Sequence, residues 1–349
     1  MNILIVKTSA IGDVIHTLPA LVSLRNQYPD ARIDWLVEEA ASGIVLGHWA
    51  VNRVLISQRR KWIKDYRLGK RLTAWRGVLS FIKELRSTQY DLLIDFQGLL
   101  KSGIFVFLAK AKRKVGFGKG MEHAEGSYLF LNERIPPVNM DIHAIERDLL
   151  LLKAIGVVQS NNDNVFPVDT NSRIKAQEFI SMAGVDRSKL FIAINPMTTW
   201  PTKHWTPHKF AALADALFVN HGATVVFTGG EEDREKIGYI CSLTRQGLVI
   251  NGAGQLDLKT LAALYSCAKL VISTDTGPMH LAAVLTPVVA LFGPTAPWRT
   301  GPYGDSHHVV RTGIACSPCL KKECRYKTTQ CMQDITVEDV MSAVNKILV

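Results

Sequence analysis

The sequence predicts an α/β protein built from two Rossmann-like domains. Three observations predict it. Short, nearly continuous apolar runs alternate with helical patterns along the whole chain, the signature of parallel sheets covered by helices on both faces. The alternation occurs twice, in halves of comparable length. The 349 residues, at roughly 150 per domain, also give a prior of two domains.

In the first half, residues 2–7 form an apolar run that reads as a buried strand, and a helix follows over 13–27. Strands are predicted at 32–37, 91–95 and 113–117, with a helix over 101–110. In the second half, strands are predicted at 190–195, 223–228, 269–273 and 287–292. Helices lie over 207–221, from 231 and from 277. The join falls between Gly156 and Val168, where Gln-Ser-Asn-Asn-Asp-Asn is rich in turn formers. The domains are therefore expected at 1–165 and 166–349, with a last helix over about 336–349 that packs back on the first domain. Two such domains facing a central cleft place a ligand at the C-terminal ends of their strands.

Hydrophobic residues at 47% and charged residues at 21% are the profile of a globular chain, not a disordered one. No apolar stretch is long enough to span a bilayer: residues 99–109 carry Lys101, and residues 281–292 contain Pro287. Lys7 and Asp13 closely follow the apolar start, unlike a secretory signal. A cytoplasmic location is expected, where six cysteines do not form a disulfide framework. Forty-one basic against thirty-one acidic residues give a net charge of +10, which points to an anionic partner.

Four constellations can carry chemistry. The first is Lys7-Thr-Ser-Ala-Ile-Gly-Asp13, a strand, a small-residue turn and a helix start. Asp13 is either a helix cap or a carboxylate held at a site as general base. The turn is not a Walker A loop, because Gly-Lys-Ser/Thr is missing. The second is Asp275-Thr-Gly-Pro-Met-His280, where a strand ends and Pro278 opens a helix. Free N–H groups at that terminus suit a phosphate, while His280 is equally readable as a core histidine. The third is the loop from Asn195 to Trp205 with Thr198, Thr199 and Lys203. Lys203 is a point charge for phosphate or a solvated loop lysine. No Asp-x-Asp pair occurs, which weakens a metal-bridged nucleotide-sugar site and places the burden on lysine and helix dipole. The fourth is Cys316-x2-Cys319-x4-Cys324-x6-Cys331, readable as a zinc site or as structural thiols.

Several longer runs also stand out: Ile5 to Ala20, Trp35-Leu-Val-Glu-Glu39, Ile94 to Ser102, His143-Ala-Ile-Glu-Arg147, Lys203-His-Trp205, Ser273 to His280 and Leu291-Phe-Gly-Pro-Thr295. On these runs the chain resembles glycosyltransferase family 9, the lipopolysaccharide heptosyltransferases, and within it the heptosyltransferase I group most. The resemblance implies a GT-B fold. It also implies inverting, metal-independent transfer of heptose from ADP-L-glycero-β-D-manno-heptose to a Kdo-lipid A acceptor, at the cytoplasmic face of the inner membrane. No cofactor is implied. By the same resemblance Asp13 is the base, Thr198, Thr199 and Lys203 form the donor-phosphate loop, and Asp275, Thr276, Gly277 and His280 the donor-binding helix terminus. Asp233 becomes a ribose contact and Leu256 an apolar residue against adenine. Residues 122–126 lack the arginine expected near the acceptor. The cysteine cluster occurs in some members of the wider family, which leaves a second-heptose acceptor, or another family 9 donor sugar, as alternatives. A nucleotide-binding protein without turnover is the alternative from a different class.

One basic segment accounts best for the net charge. Arg59, Arg60, Lys61, Lys64, Arg67, Lys70, Arg71 and Arg76 are opposed only by Asp65, with Trp62, Tyr66 and Trp75 interleaved. Such a segment suits single-stranded nucleic acid, an anionic membrane surface or a solvated helix face. The resemblance favours the membrane over nucleic acid and makes Arg59, Arg60, Lys61 and Lys64 acceptor-binding. Lys112, Arg113, Lys114 and Lys119 are expected to extend that surface.

Overall fold

A computed structural model describes residues 1–121, 125–160, 166–186 and 189–348. The chain separates into two compact units, Met1–Pro167 and Val168–Val349. The boundary expected at 165/166 adjoins residues 161–165, which lie outside the described residues.

The first unit holds six strands: β1 (Asn2–Val6), β2 (Arg32–Glu38), β3 (Arg53–Ser57), β4 (Tyr90–Asp95), β5 (Ala111–Phe117) and β6 (Glu133–Ile135). All pair in parallel, in the order β3-β2-β1-β4-β5-β6. Ile3, Leu4, Ile5 and Val6 are fully buried, because helices cover both faces of the central strand; hence the unbroken apolar run. Residues 13–27 do not form one helix. They lie in two, Ile11–His16 and Leu18–Gln27. Pro19 has no N–H with which to continue the helical ladder. Thr17, at the junction, places its hydroxyl 3.0 Å from the Asp13 carbonyl and 2.5 Å from the Asp148 carboxylate.

The second unit repeats the plan with β7 (Phe191–Asn195), β8 (Thr224–Phe227), β9 (Val249–Asn251), β10 (Leu270–Thr274), β11 (Val288–Leu291) and β12 (His308–Val310). These strands are also parallel, in the order β12-β11-β10-β7-β8-β9. Strands β3, β6, β9 and β12 have no counterpart in the sequence reading. Three of them are three residues long, too short for periodicity to register. The closing helix, Val337–Leu348, packs on helix Pro207–His221 and on β11 and β12. Its Val340, Met341 and Val344 join a core that includes Trp205, Phe210 and Ile272. The apolar face of this helix is thus buried within the second unit.

In each unit the chain winds outward from a central strand in one direction and then in the other. The reversal falls between β1 and β4 in the first unit and between β7 and β10 in the second. The loops that leave the C-terminal ends of such strand pairs splay apart, which is where open α/β sheets hold ligands.

Candidate active site

In the first unit the loops after β1 and β4 are bound together. Gln97 Oε1 accepts the Thr8 and Ser9 N–H groups at 2.9 and 3.0 Å. Lys7 Nζ donates to the Phe96 carbonyl at 2.8 Å and lies 4.0 Å from Asp148. Asp13 stands on the helix that this loop opens, half-exposed. Its Oδ2 accepts the Ala10 N–H at 2.8 Å, half of a capping box. The other carboxylate oxygen takes no hydrogen bond among the described residues. Asp13 is therefore a cap with one oxygen in reserve, and the two readings of it are compatible.

A cationic cluster adjoins this loop. Glu38, buried at the end of β2, meets Arg59 Nε at 3.1 Å, Arg60 Nε at 3.7 Å and Lys101 Nζ at 3.9 Å. Lys101 Nζ also donates to Ser9 Oγ. Burial pulls the Lys101 pKa below its ordinary value, Glu38 opposes the fall, and Asp13 is near enough to oppose it further. Of the predicted acceptor residues, the structure brings Arg59 and Arg60 to this cluster. Lys61 and Lys64 stay exposed on helix Arg59–Arg67. Lys112 and Arg113 pair with Asp91 and Glu133.

Two buried carboxyls support the loops. Asp148 is held by Thr17 and Lys7, and burial pushes its pKa up. Asp95, at the end of β4, accepts the Gln97 and Gly98 N–H groups and the Ser102 hydroxyl at 3.0, 3.2 and 3.1 Å. Burial outweighs those bonds and pushes its pKa from 3.8 up to about 6. A raised folded value means that the folded state binds the proton more tightly than the unfolded chain does. The stabilising contribution is complete below 3.8 and is lost as pH rises through about 6. The difference in denaturation midpoint between wild type and Asp95→Asn should therefore depend on pH across this window, wild type gaining ground toward the acid end. A difference that stays constant from pH 4 to 7 would show that Asp95 titrates normally.

In the second unit the switch point joins two loops by direct contact. Lys203 ends the 3-10 turn Pro201–Lys203 after β7. Its Nζ lies 2.6 Å from Asp275 Oδ2 at the end of β10 and 4.6 Å above the Trp200 ring. Asp275, 4% exposed, also accepts the Thr295 hydroxyl at 2.6 Å and has His280 Nε2 at 3.9 Å from its Oδ1. Lys203 is thus a positioned cation, not a solvated loop lysine, and His280 is buried beside Asp275. Thr276 precedes helix Gly277–Ala283, opened by Pro278. The first N–H groups of such a helix have no intrahelical acceptor and carry partial positive charge. Thr198 and Thr199 lie on the β7 loop, the Thr198 carbonyl held by His204 Nε2 at 2.7 Å. Asp233 and Leu256 lie farther along the same edge, on the loops after β8 and β9, which are joined by Gly254 N–H to the Gly229 carbonyl at 3.0 Å. Asp233 Oδ2 accepts the Gly230 N–H at 3.0 Å and so shapes its own loop.

The sequence reading missed the roles of Glu38, Lys101, Asp148 and Thr295. The first two and Thr295 stand inside runs singled out above, and Asp148 follows another by one residue; their partners are remote in sequence. The four clustered thiols sit close enough that, after burial, their mutual charge raises the Cys331 pKa. Backbone N–H groups, chiefly those of Thr329 and Tyr326, hold the Cys324 thiol below its ordinary value. Among the described residues no group of three or more His, Cys, Asp or Glu is placed to hold a metal ion. Residues 122–124, from the segment expected near the acceptor, lie outside the described residues.

Comparison with known proteins places these features. The profile of glycosyltransferase family 9 (heptosyltransferase) matches residues 78–330. The chain is 32% identical over 332 residues to lipopolysaccharide heptosyltransferase 1 of Pseudomonas aeruginosa, covering 95% of this chain and 89% of that one. It is 25% identical over 356 residues to lipooligosaccharide heptosyltransferase 2 of Campylobacter jejuni, covering 100% and 98%. The solved structure of the E. coli heptosyltransferase WaaC with ADP superposes with a TM-score of 0.79 at 27% identity, covering 99% and 100%. The two parallel Rossmann-like sheets, the linked switch-point loops and these matches together establish that the chain belongs to glycosyltransferase family 9, as a glycosyltransferase of GT-B fold.

Proposed function

We propose that the protein transfers L-glycero-D-manno-heptose from ADP-heptose, with inversion and without a metal, to a Kdo-lipid A acceptor in assembly of the lipopolysaccharide inner core. The observation that carries the reading is the Lys203–Asp275 junction beside a helix N-terminus, in a fold similar to one solved with ADP. A related E. coli structure contains ADP-2-deoxy-2-fluoro heptose, which supports ADP-heptose as donor.

An acceptor hydroxyl oxygen forms a bond to the anomeric carbon as the bond from that carbon to the β-phosphate oxygen breaks. The electron pair leaves with ADP, and the hydroxyl proton passes to Asp13. Lys203 and the N–H groups at Thr276 and Gly277 stabilise charge where it develops on the leaving group. Thr198 and Thr199 supply hydroxyls to the same phosphates, Asp233 a contact to ribose and Leu256 an apolar face to adenine. Arg59 and Arg60, with Lys61 and Lys64 beside them, match the carboxylates and phosphates of a Kdo-lipid A acceptor, since arginine binds such groups bidentately. An acceptor of that kind places the enzyme at the cytoplasmic face of the inner membrane. Among the described residues, no helix is long and apolar enough to cross it.

A second reading, addition of the second core heptose, is supported by full-length similarity to a heptosyltransferase 2. A coupled assay of ADP release with ADP-heptose decides between them. Turnover on Kdo₂-lipid A supports the first reading; turnover only on an acceptor that already carries one heptose supports the second. No turnover with any sugar nucleotide leaves a binding protein. Activity is expected to survive EDTA. Complete loss in the chelator, restored by magnesium, would contradict metal-independent departure of ADP.

A further inference from the structure

The two helices that follow β3, Arg59–Arg67 and Arg71–Leu85, form a hairpin whose outer face the chemistry above does not use. The hairpin is firmly built. Trp62 packs against Gly77, so closely that a Cβ there would lie 2.6 Å from the indole nitrogen, and against the Phe81 ring at 5.4 Å. Helix Arg71–Leu85 turns Phe81 and Leu85 into the core. Its opposite side carries Leu72, Trp75 and Leu79, which are 76%, 57% and 60% exposed, and Leu68 in the preceding turn is exposed as well. On a 3.6-residue helix positions 72, 75 and 79 form one stripe. The neighbouring helix, Leu100–Leu108, is tied to this one by the Phe81–Phe105 ring contact and by Arg86 donating to the Leu108 carbonyl at 3.0 Å. It exposes Ile104 and Phe107 in the same manner. Single exposed apolar residues need no explanation, but three in a row on one helix face, with two more on a helix nearby, do.

Charge identifies what covers the row. Between Arg59 and Arg86 there are ten basic and two acidic residues, so the hairpin with the Arg86 that ends it carries +8 of the net charge of +10. A second copy of the same surface is disfavoured, because it brings +8 against +8. Single-stranded nucleic acid satisfies the charge but reads aromatic faces by stacking, whereas this row is chiefly leucine and isoleucine. Apolar residues rimmed by Lys and Arg, with a tryptophan among them, match the boundary between anionic headgroups and acyl chains. We infer that the hairpin Arg59–Leu85 is a membrane-docking element: Leu68, Leu72, Trp75 and Leu79 enter the acyl boundary of an anionic bilayer while the surrounding arginines and lysines hold its headgroups. The choice of a lipid occupant draws support from the proposed function, whose acceptor is lipid-borne. Arg59 and Arg60, which begin the same hairpin and meet Glu38, then bring the acceptor subsite down to the membrane surface.

Flotation with phosphatidylcholine vesicles, with and without phosphatidylglycerol, tests the inference on the full chain. Binding should require the anionic lipid, and the Trp75 emission should shift to the blue on binding, a shift absent in Trp75→Phe. The triple variant L72S/W75S/L79S alters only exposed positions. It should bind about tenfold more weakly or worse, since about one buried leucine is worth that factor. R71Q/R76Q/K83Q should lose about fivefold per charge. The apolar triple variant should keep its turnover on an acceptor stripped of acyl chains and lose efficiency on the same acceptor embedded in vesicles. Full-strength vesicle binding by that variant overturns the inference. So does a concentration-dependent dimer that the variant abolishes. If no acceptor is turned over while vesicle binding behaves as described, the proposed function fails and the docking element stands.

Discussion

Asp13→Asn should lower kcat by about 10²–10⁴-fold, the usual contribution of a positioned general base, while the KM for ADP-heptose changes only a few-fold. The substitution is informative because of where the carboxylate sits. Asp13 Oδ2 accepts the Ala10 N–H at 2.8 Å, and an asparagine carbonyl can accept the same bond. Capping is therefore retained and only the proton acceptor is removed. Thermal stability should stay close to wild type, which separates loss of the base from loss of the helix. Donor binding should be little affected, because the residues assigned to the nucleotide belong to the second unit. Near-normal turnover in this variant would remove Asp13 from the chemistry and leave it a cap. Asp13→Ala serves as the complement: it loses both functions and should add a stability deficit of about 1 kcal/mol, the usual value of a helix cap.

Lys203→Ala should reduce turnover by about 10²–10³-fold, by analogy with loss of one preorganised donor to a developing anion. ADP itself should bind more weakly, since the lysine meets phosphate in the product as well. The effect has a structural companion. Lys203 is the cation partner of the buried Asp275 carboxylate at 2.6 Å. Without it that carboxylate keeps the Thr295 hydroxyl and the more distant His280. Removing one partner of a buried pair typically costs about 3–5 kcal/mol, so denaturant unfolding should report a marked loss. Lys203→Ala/Asp275→Asn should recover much of that stability, because no unpaired charge remains, and none of the turnover. Recovery of turnover together with stability would show that Lys203 acts only by supporting the loop. Titration calorimetry with ADP gives the binding half of the result independently of any acceptor.

The architecture, and the loops at its strand ends, are legible in the sequence. Strands buried on both faces must be apolar at successive positions, so β1, β4, β7 and β10 are legible as runs. The turns that follow them stand out because a strand end, a small or hydroxyl residue and a helix start are all local signals. Asp13, Lys203 and Asp275 were found that way. Tertiary structure decided what local signals cannot carry. Thr17, at the break between the first two helices, meets Asp148, which lies 131 residues away. The burial of helix Val337–Leu348 in the second unit depends on which face of β11 and β12 is left uncovered, a property of the assembled sheet. Lys203 and Asp275 are 72 residues apart, and only the adjacency of β7 and β10 makes them an ion pair. Glu38 and Lys101 likewise meet because β2, β1 and β4 are consecutive in the sheet although separated in the chain. Periodicity reports the environment of one element; the order of strands, which sets the partners of every loop, emerges only when loop-closure entropy has been offset by pairing across the sheet.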